Sequence, residues 1–151
     1  MANLNDADSN ALPRLHHWLP LLSESLAAQG QFRWQLRGAS MTPTLPPGCV
    51  IEIKLPPPQI PLGALLVFAA NDALVVHRLV HRVPSFLVTQ GDNRREPDRW
   101  LRPSQVLGVV TAAYRDDERI WPRAGEAVRR WRWIGRAAGL WLLRRLRRAM
   151  T

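Results

Sequence analysis

Apolar side chains recur at steps of three and four residues over 13–29, and this spacing predicts an amphipathic helix. The apolar stripe consists of Leu15, Trp18, Leu19, Leu22 and Leu26. Pro13 suits a first helical turn, and Gly30 suits the position that follows a last turn. Residues 1–11 are polar and lack periodicity, so they predict a disordered lead-in.

From residue 31 onward the pattern changes to the two-residue alternation of half-buried strands. Phe32, Trp34 and Leu36 alternate with polar neighbours, and similar alternation or short apolar runs follow. The predicted strands are 31–37, 49–55, 64–69, 73–83, 86–90 and 106–114. Residues typical of turns separate them, including a hairpin turn at Asn71-Asp72. The sequence therefore predicts a mainly β domain of short strands.

Charge distinguishes this domain from the carboxyl end of the chain. The 151 residues carry a formal net charge of +9, and residues 122–151, with nine arginines and the single acid Glu126, carry +8 of it. In this stretch one helical stripe is apolar and lies opposite arginines. The apolar stripe consists of Trp131, Ile134, Ala138, Leu142, Leu146 and Ala149. We therefore divide the chain into a lead-in with its helix (1–30), a β domain (31–115) and a basic amphipathic tail (116–151).

The location of the positive charge in the tail indicates which partners to expect. Because the β domain is close to neutral, nucleic acid is disfavoured as a partner. Tryptophan and leucine beside arginine are typical of an interfacial helix, so we expect residues 122–151 to bind an anionic membrane surface. The alternative is a helix packed on its own domain with a solvated arginine face.

Several classes of protein are disfavoured by the sequence. Cys49 is the single cysteine, which excludes an internal disulfide framework, and its place at a strand start favours core packing. No metal or cofactor motif is present, so we expect no cofactor. The longest apolar runs, 60–70 and 137–143, are shorter than the roughly 20 residues that span a bilayer, and the acidic amino terminus is unlike a secretory signal. We expect a cytoplasmic protein or one at the periphery of the cytoplasmic membrane.

Ser40 is the first candidate for chemistry. It follows a strand and lies in a segment, 39–48, that contains three prolines, so its hydroxyl is expected to be held exposed in a rigid turn. A serine becomes a nucleophile only when a base takes its proton. The alternative interpretation is a turn residue whose hydroxyl satisfies the backbone.

Three side chains are candidates for that base. Lys54 faces the same side of its strand as Glu52 and is expected to be solvated. His77 stands among valines and leucines, which indicates an imidazole held in an apolar strand; the alternative is a structural histidine. By the two-residue period His81 lies on the same strand face, but it is nearer Pro84, where the strand should end.

The polar loop 91–99 supplies carboxylates. Alone, such a loop is typical of a solvated turn. A carboxylate there would orient an imidazole and stabilise its protonated form, as the third member of a catalytic triad does.

These segments, in this order, resemble the motifs of the signal peptidase I family and its relatives among serine peptidases, which include LexA-type repressors. The resemblance covers 32–110, and its motifs are Gly38-x-Ser40-Met41-x-Pro43-Thr44-Leu45, Gly63-x-x-x-Val67-Phe68, Val76-His77-Arg78, and Gly91-Asp92-Asn93-Arg94 with Asp98 beyond. It implies a signal peptidase-like β fold.

The resemblance also implies roles for the matching residues. Ser40 matches the nucleophile. Most bacterial members use a lysine base, whereas a branch found in the endoplasmic reticulum, archaea and some bacteria has a His-Arg pair, which His77 and Arg78 match. In that branch an aspartate after Gly-Asp-Asn assists the histidine; Asp98 matches it best, and Asp92 would brace the loop.

We therefore expect a serine endopeptidase that cleaves a peptide or protein precursor through Ser40, His77 and Asp98, supported by Asp92, Arg78 and Met41. The family implies substrates bound as an added extended strand, with small residues beside the cleaved bond. The backbone N–H of Ser40 is the expected oxyanion donor. Gly38 stands where many bacterial members have a serine that supplies a second donor.

Two alternatives stay open. One is a non-catalytic binding module of the same fold, tethered to a membrane or to nucleic acid by the basic tail. The other is a self-cleaving repressor, which is disfavoured because no helix-turn-helix pattern precedes the β domain.

Overall fold

The computed structural model describes residues 15–124 together with Glu126 and Gly135. In chain order its elements are α1 (Leu15–Gln29), β1 (Gln31–Gln35), β2 (Val50–Lys54), β3 (Leu65–Ala70), β4 (Ala73–Val83), β5 (Phe86–Gln90), a 3₁₀ turn (Pro103–Gln105), β6 (Val106–Arg115) and β7 (Glu118–Trp121). The predicted mainly β class is confirmed. The lead-in at 1–11 and the apolar stripe of the predicted tail helix lie outside the described residues.

The seven strands described form one antiparallel sheet, six of them in the order β1-β2-β6-β3-β4-β5. The long strand β6 pairs with both β2 and β3, and its end also pairs with β7. The strand that carries His77, β4, lies beside β5. Because β5 leads directly into the loop that begins at Gly91, this order brings the loop next to His77.

The sheet is covered on both faces by apolar side chains. In β3, Leu65 and Val67 belong to one buried cluster, whereas Leu66 and Phe68 belong to another. Since successive side chains of a strand point to opposite faces, the two clusters lie on opposite sides of the sheet. The continuous apolar run of β3 is therefore that of a central strand buried on both faces.

The helix α1 packs against the first of these clusters. Leu22 and Leu26 are buried in it, four residues apart on one helical face, whereas Leu21 is exposed. Gly30 has a φ of 69° and donates its N–H to the Leu26 carbonyl, which is the usual glycine stop of a helix. Within the described part of the chain, no helix is long and apolar enough to cross a membrane.

The sequence prediction did not include β7. Asp116 and Asp117 both have positive φ values, 49° and 62°, which a two-residue hairpin loop with the right-handed strand twist requires. Asn71 and Asp72 form the predicted hairpin turn in the same way. The sheet consequently continues past residue 115, where the predicted β domain ends, to Trp121.

The expected position of His81 is wrong. The pairing of β4 with β5 shifts by one residue between Leu79 and His81, which interrupts the two-residue alternation. His77 is buried, whereas His81 is exposed. The two imidazoles therefore do not occupy equivalent positions along one strand face.

The thiol of Cys49 is buried in the first cluster, and burial raises the pKa of this thiol above its ordinary value even though the charge of Arg115 lowers it. Only the thiolate reacts readily with thiol reagents. We expect Cys49 of the folded protein at pH 7 to react with a maleimide at least about a hundredfold more slowly than in guanidinium chloride. Equal labelling rates in the two conditions would contradict this assignment to the core.

Candidate active site

Ser40 lies in a tight turn between β1 and β2 that two buried side chains hold against the sheet. Met41 and Leu45 are inserted into the first apolar cluster, and the Leu45 N–H donates to the Met41 carbonyl at 2.9 Å. The Thr42 N–H donates to the Ala39 carbonyl at 3.1 Å. We call residues 39–45 the Ser40 turn. Met41, predicted as a supporting residue, is thus one of the two buried side chains that anchor this turn.

The imidazole of His77 lies between Ser40 and Asp98. Its Nε2 is 3.0 Å from the Ser40 Oγ, and its Nδ1 is 2.5 Å from the Asp98 Oδ2. The ring of Phe68, on the neighbouring strand β3, packs edge-on at a centroid distance of 6.0 Å. A buried strand position thus fixes the ring, and the two nitrogens meet different partners.

These contacts determine how protons are arranged along the three side chains. A carboxylate accepts hydrogen bonds, so Asp98 favours the tautomer of His77 that carries its proton on Nδ1. In that tautomer the lone pair of Nε2 faces the Ser40 hydroxyl, which can donate to it. The arrangement is that of a nucleophile, a general base and an orienting carboxylate.

Thr89, which the sequence prediction did not include, holds the carboxylate of Asp98. The Thr89 hydroxyl donates to Asp98 Oδ2 at 2.7 Å, and the Asp98 N–H donates to the Thr89 carbonyl at 2.8 Å. Thr89 is fully buried in β5, on the same strand face as Leu87. A polar side chain at a core-facing strand position is the signal that could have identified it, because buried hydroxyls need partners.

Beneath the Ser40 turn, Arg78 and Asp92 form a buried ion pair. The Arg78 Nε donates to Asp92 Oδ1 at 2.8 Å, and its Nη2 donates to Asp92 Oδ2 at 2.7 Å. The Arg78 Nη1 donates to the carbonyl of Gly63 at 3.1 Å, and the arginine is only 1% exposed. Since His77 and Arg78 are consecutive in β4, one strand presents the imidazole on one face and the guanidinium on the other.

The carboxylate of Asp92 also joins the Ser40 turn to the loop that follows β5. This loop, residues 91–98, we call the Gly91 loop. The Thr44 hydroxyl donates to Asp92 Oδ2 at 2.5 Å. Next along the loop, the Asn93 N–H donates to the Ser40 carbonyl at 2.8 Å, and its side-chain amide donates to the Ala39 carbonyl at 3.3 Å. The Ser40 turn is therefore linked through Asp92 to the buried pair.

The backbone N–H of Ser40 donates no hydrogen bond within the described part of the chain. An oxyanion donor must be available for a developing negative charge, so this N–H meets the first requirement of its expected role. Lys54, the alternative base, lies elsewhere: its side chain is 49% exposed, with its Nζ 3.8 Å from the Glu52 carboxylate. Among the described residues, no group of histidine, cysteine and carboxylate side chains could hold a metal ion.

Gly91 packs closely against the Ser40 backbone carbonyl and the His77 imidazole. A Cβ at this position would lie 2.7 Å from the Ser40 carbonyl oxygen and 3.0 Å from the His77 Nε2. Both distances are shorter than van der Waals contact, and the first involves backbone that cannot rotate away. We expect Gly91→Ala to lower kcat for any reaction of Ser40 by about a hundredfold, because displacements of about 1 Å have costs of that order.

The matched control for this substitution is Gly38→Ala. Gly38 lies two residues before Ser40, yet a Cβ there would meet no atom within 4 Å. We expect this variant to keep the wild-type rate and melting temperature. Equal activity of the two variants would show that the close approach of Gly91 to His77 does not matter.

The structure thus brings together Ser40, His77 and Asp98 in one hydrogen-bonded line, and places Arg78 and Asp92 in a second contact below it. The chain matches no protein-family model, and a search of curated proteins found no match.

Proposed function

We propose that this protein is a serine endopeptidase of the signal peptidase type that cleaves a peptide or protein precursor. The observation that carries the proposal is the line from the Ser40 hydroxyl through His77 to the Asp98 carboxylate. The order of the motifs and the antiparallel sheet support it, since a fold of the signal peptidase type is mainly β. The residues in contact, Ser40, His77 and Asp98, are those that match the His-Arg branch of the family.

In this mechanism His77 acts first as a base and then as an acid. Its Nε2 takes the proton of the Ser40 hydroxyl while Oγ attacks the scissile carbonyl carbon, and the Ser40 N–H donates to the resulting oxyanion. His77 then returns that proton to the leaving amine as the carbon–nitrogen bond breaks. Water, deprotonated by His77, releases the acyl group and restores Ser40.

Asp98 orients the imidazole and stabilises the imidazolium that forms in each half of the reaction. Thr89 holds the Asp98 oxygen that contacts His77, so it acts on the imidazole through Asp98. By family resemblance, the substrate would be extended and carry small residues beside the cleaved bond.

A degenerate peptide library provides the direct test. The purified protein is incubated with the library, and new amino termini are identified by mass spectrometry. We expect a restricted set of cleavage sites that disappears in Ser40→Ala. Identical cleavage by wild type and Ser40→Ala would refute the proposal, because it would assign the activity to another residue or to a contaminant. The same variant, used in a pull-down, would then retain the uncleaved substrate for identification.

The binding-module alternative makes a different demand on the site. A binding module would be favoured by a structure in which the imidazole cannot approach the serine hydroxyl. In this structure the His77 Nε2 and the Ser40 Oγ are 3.0 Å apart. A pure binding surface also gives no reason for a partly buried carboxylate–threonine contact behind the imidazole. These two observations favour the enzyme over the binding module.

For localisation we propose that residues 122–151 bind the surface of an anionic membrane, because they carry a net charge of +8 with interleaved tryptophan and leucine. We expect the protein to sediment with vesicles containing anionic lipid and to be released at high salt, as screening weakens such binding. Equal binding to purely zwitterionic vesicles would contradict the electrostatic part of this proposal, and no binding to either kind would refute it.

A further inference from the structure

Arg78 meets a second carboxylate besides that of Asp92. Its Nη2 lies 3.6 Å from the Glu126 Oε1, and the Glu126 side chain is only 15% exposed. The Glu126 N–H donates to the Arg123 carbonyl at 3.0 Å, in a turn that follows β7. A residue beyond the sheet therefore reaches the guanidinium that lies beneath the Ser40 turn.

The chemistry of the guanidinium leaves room for this contact. Arginine has five N–H donors, and the hydrogen bonds to Asp92 and Gly63 use three of them. The nitrogen that faces Glu126, Nη2, has a second hydrogen beyond the one given to Asp92. Glu126 is also the single acid among the last 30 residues, which contain nine arginines. A lone carboxylate in a strongly basic segment thus lies beside the most deeply buried cation described.

The orientation of Arg78 is transmitted to the nucleophile through short contacts. Its two hydrogen bonds to Asp92 fix the carboxylate that also accepts the Thr44 hydroxyl. The next residue, Asn93, donates its N–H to the Ser40 carbonyl. A change in the electrostatic field at the guanidinium therefore reaches the Ser40 turn through two contacts, Arg78 with Asp92 and Asp92 with Thr44.

We propose that Glu126 is a positioning residue of this site, which holds Arg78 in the orientation that keeps Asp92 and the Gly91 loop against the Ser40 turn. Glu126 is thereby tied to the geometry of the Ser40 turn. The effect on catalysis rests on the proposed peptidase function, whereas the effect on the Gly91 loop does not.

The first measurement is of turnover in the full-length protein. Glu126→Gln keeps the size of the side chain but removes its charge, and we expect kcat to fall about threefold to tenfold with KM unchanged. Glu126→Lys places a cation beside Arg78 and should lower kcat further. The control is Glu118→Gln, which removes the same charge from an exposed position in β7 and should leave both constants unchanged.

The second measurement does not need catalysis. The Asn93 amide reports the contact between the Gly91 loop and the Ser40 turn, because it donates to the Ser40 carbonyl. We expect its hydrogen exchange, followed by NMR, to be about tenfold faster in Glu126→Gln than in the wild type and in Glu118→Gln, since local opening becomes easier. Exchange of core amides in β3 should be the same in all three proteins, which separates this effect from general destabilisation.

The two measurements distinguish the two proposals. Equal Asn93 exchange in the wild type and Glu126→Gln would overturn the role of Glu126, whatever the activity. If Asn93 exchange is faster in Glu126→Gln but the wild type cleaves no peptide, the peptidase is refuted and the structural link is supported. If the wild type cleaves and Glu126→Gln matches it in kcat, the positioning role in catalysis is overturned.

Discussion

Replacement of His77 by alanine is expected to lower kcat for peptide cleavage by about 10⁴-fold while KM stays within about twofold. The reason is the position of the imidazole, whose Nε2 is 3.0 Å from the Ser40 Oγ. Without a base at that distance, the hydroxyl must lose its proton to water. In this mechanism the imidazole meets the substrate only when it passes the proton to the leaving amine, and not in the bound ground state, so binding should be retained. Initial rates over a range of substrate concentrations separate the two constants.

The matched control is His81→Ala. It removes an imidazole from the same strand, four residues away, but from an exposed position. We expect less than a twofold change in kcat. A comparable loss in both variants would mean that His77 is not the specific base, and wild-type activity in His77→Ala would remove it from the mechanism altogether.

Residues that act as one unit give non-additive losses. The double variant Ser40→Ala/His77→Ala should therefore be no slower than the slower of the two single variants. Additive losses would indicate that Ser40 and His77 act in separate steps.

Asp98→Asn is expected to lower kcat by about 10²- to 10⁴-fold, because an amide can present its N–H to Nδ1 and favour the wrong tautomer.

The strands and the Ser40 turn could be predicted from the sequence because their signals are local. The strands β4 and β5 have the predicted bounds, since apolar alternation and flanking turn residues define them. Ser40 and His77 were candidates from their local sequence context, whereas Asp98 was implied only by the family resemblance of the motifs. Their meeting depends on the order of strands, which the pattern alone does not determine, because β6 is inserted between β2 and β3.

What sequence reasoning missed depends on tertiary contacts. The four residues of β7 include Glu118 and Arg119, so they have little strand character by themselves, and they pair because the Asp116-Asp117 turn returns the chain to β6. Glu126 looks solvated within a basic run, until the fold places it beside Arg78.

The position of His81 was predicted wrongly for a related reason. The alternation rule assumes regular pairing, whereas β4 contains a one-residue shift relative to β5 just after Leu79. Such a shift has no clear mark in the sequence, because it depends on how the neighbouring strand is matched. The same shift is why two histidines four residues apart have different environments.

The second large effect is expected for the stability of the fold. Arg78→Met removes the cation from a buried pair and leaves Asp92 buried, with the Thr44 hydroxyl as its remaining side-chain partner in the hydrogen bonds described. Breaking a buried pair by removing one partner costs about 3–5 kcal/mol, so we expect the free energy of unfolding to fall by that amount. Urea unfolding at 25 °C, followed by tryptophan fluorescence, measures it.

An ion pair whose cation is half exposed provides the control. Lys54→Met removes a cation 3.8 Å from Glu52, but the lysine side chain is 49% exposed. Exposed pairs contribute about 0–1 kcal/mol, so this variant should unfold close to the wild-type midpoint. If the two variants lost equal stability, the burial of Arg78 would not be the cause.

A double-mutant cycle with Asp92→Asn then tests whether the loss at Arg78 belongs to the pair. Each single variant leaves one charge without its partner, whereas the double variant removes both, so its loss should be smaller than the sum of the single losses by about 1–3 kcal/mol. The double variant should nevertheless remain slow in peptide cleavage, because Asn93 and the Ser40 carbonyl still depend on the position of the Gly91 loop. Recovery of stability without recovery of turnover would show that the buried pair positions the nucleophile in addition to holding the fold together. Additive losses would instead mean that Arg78 is stabilised chiefly by its other contacts, with Gly63 and Glu126.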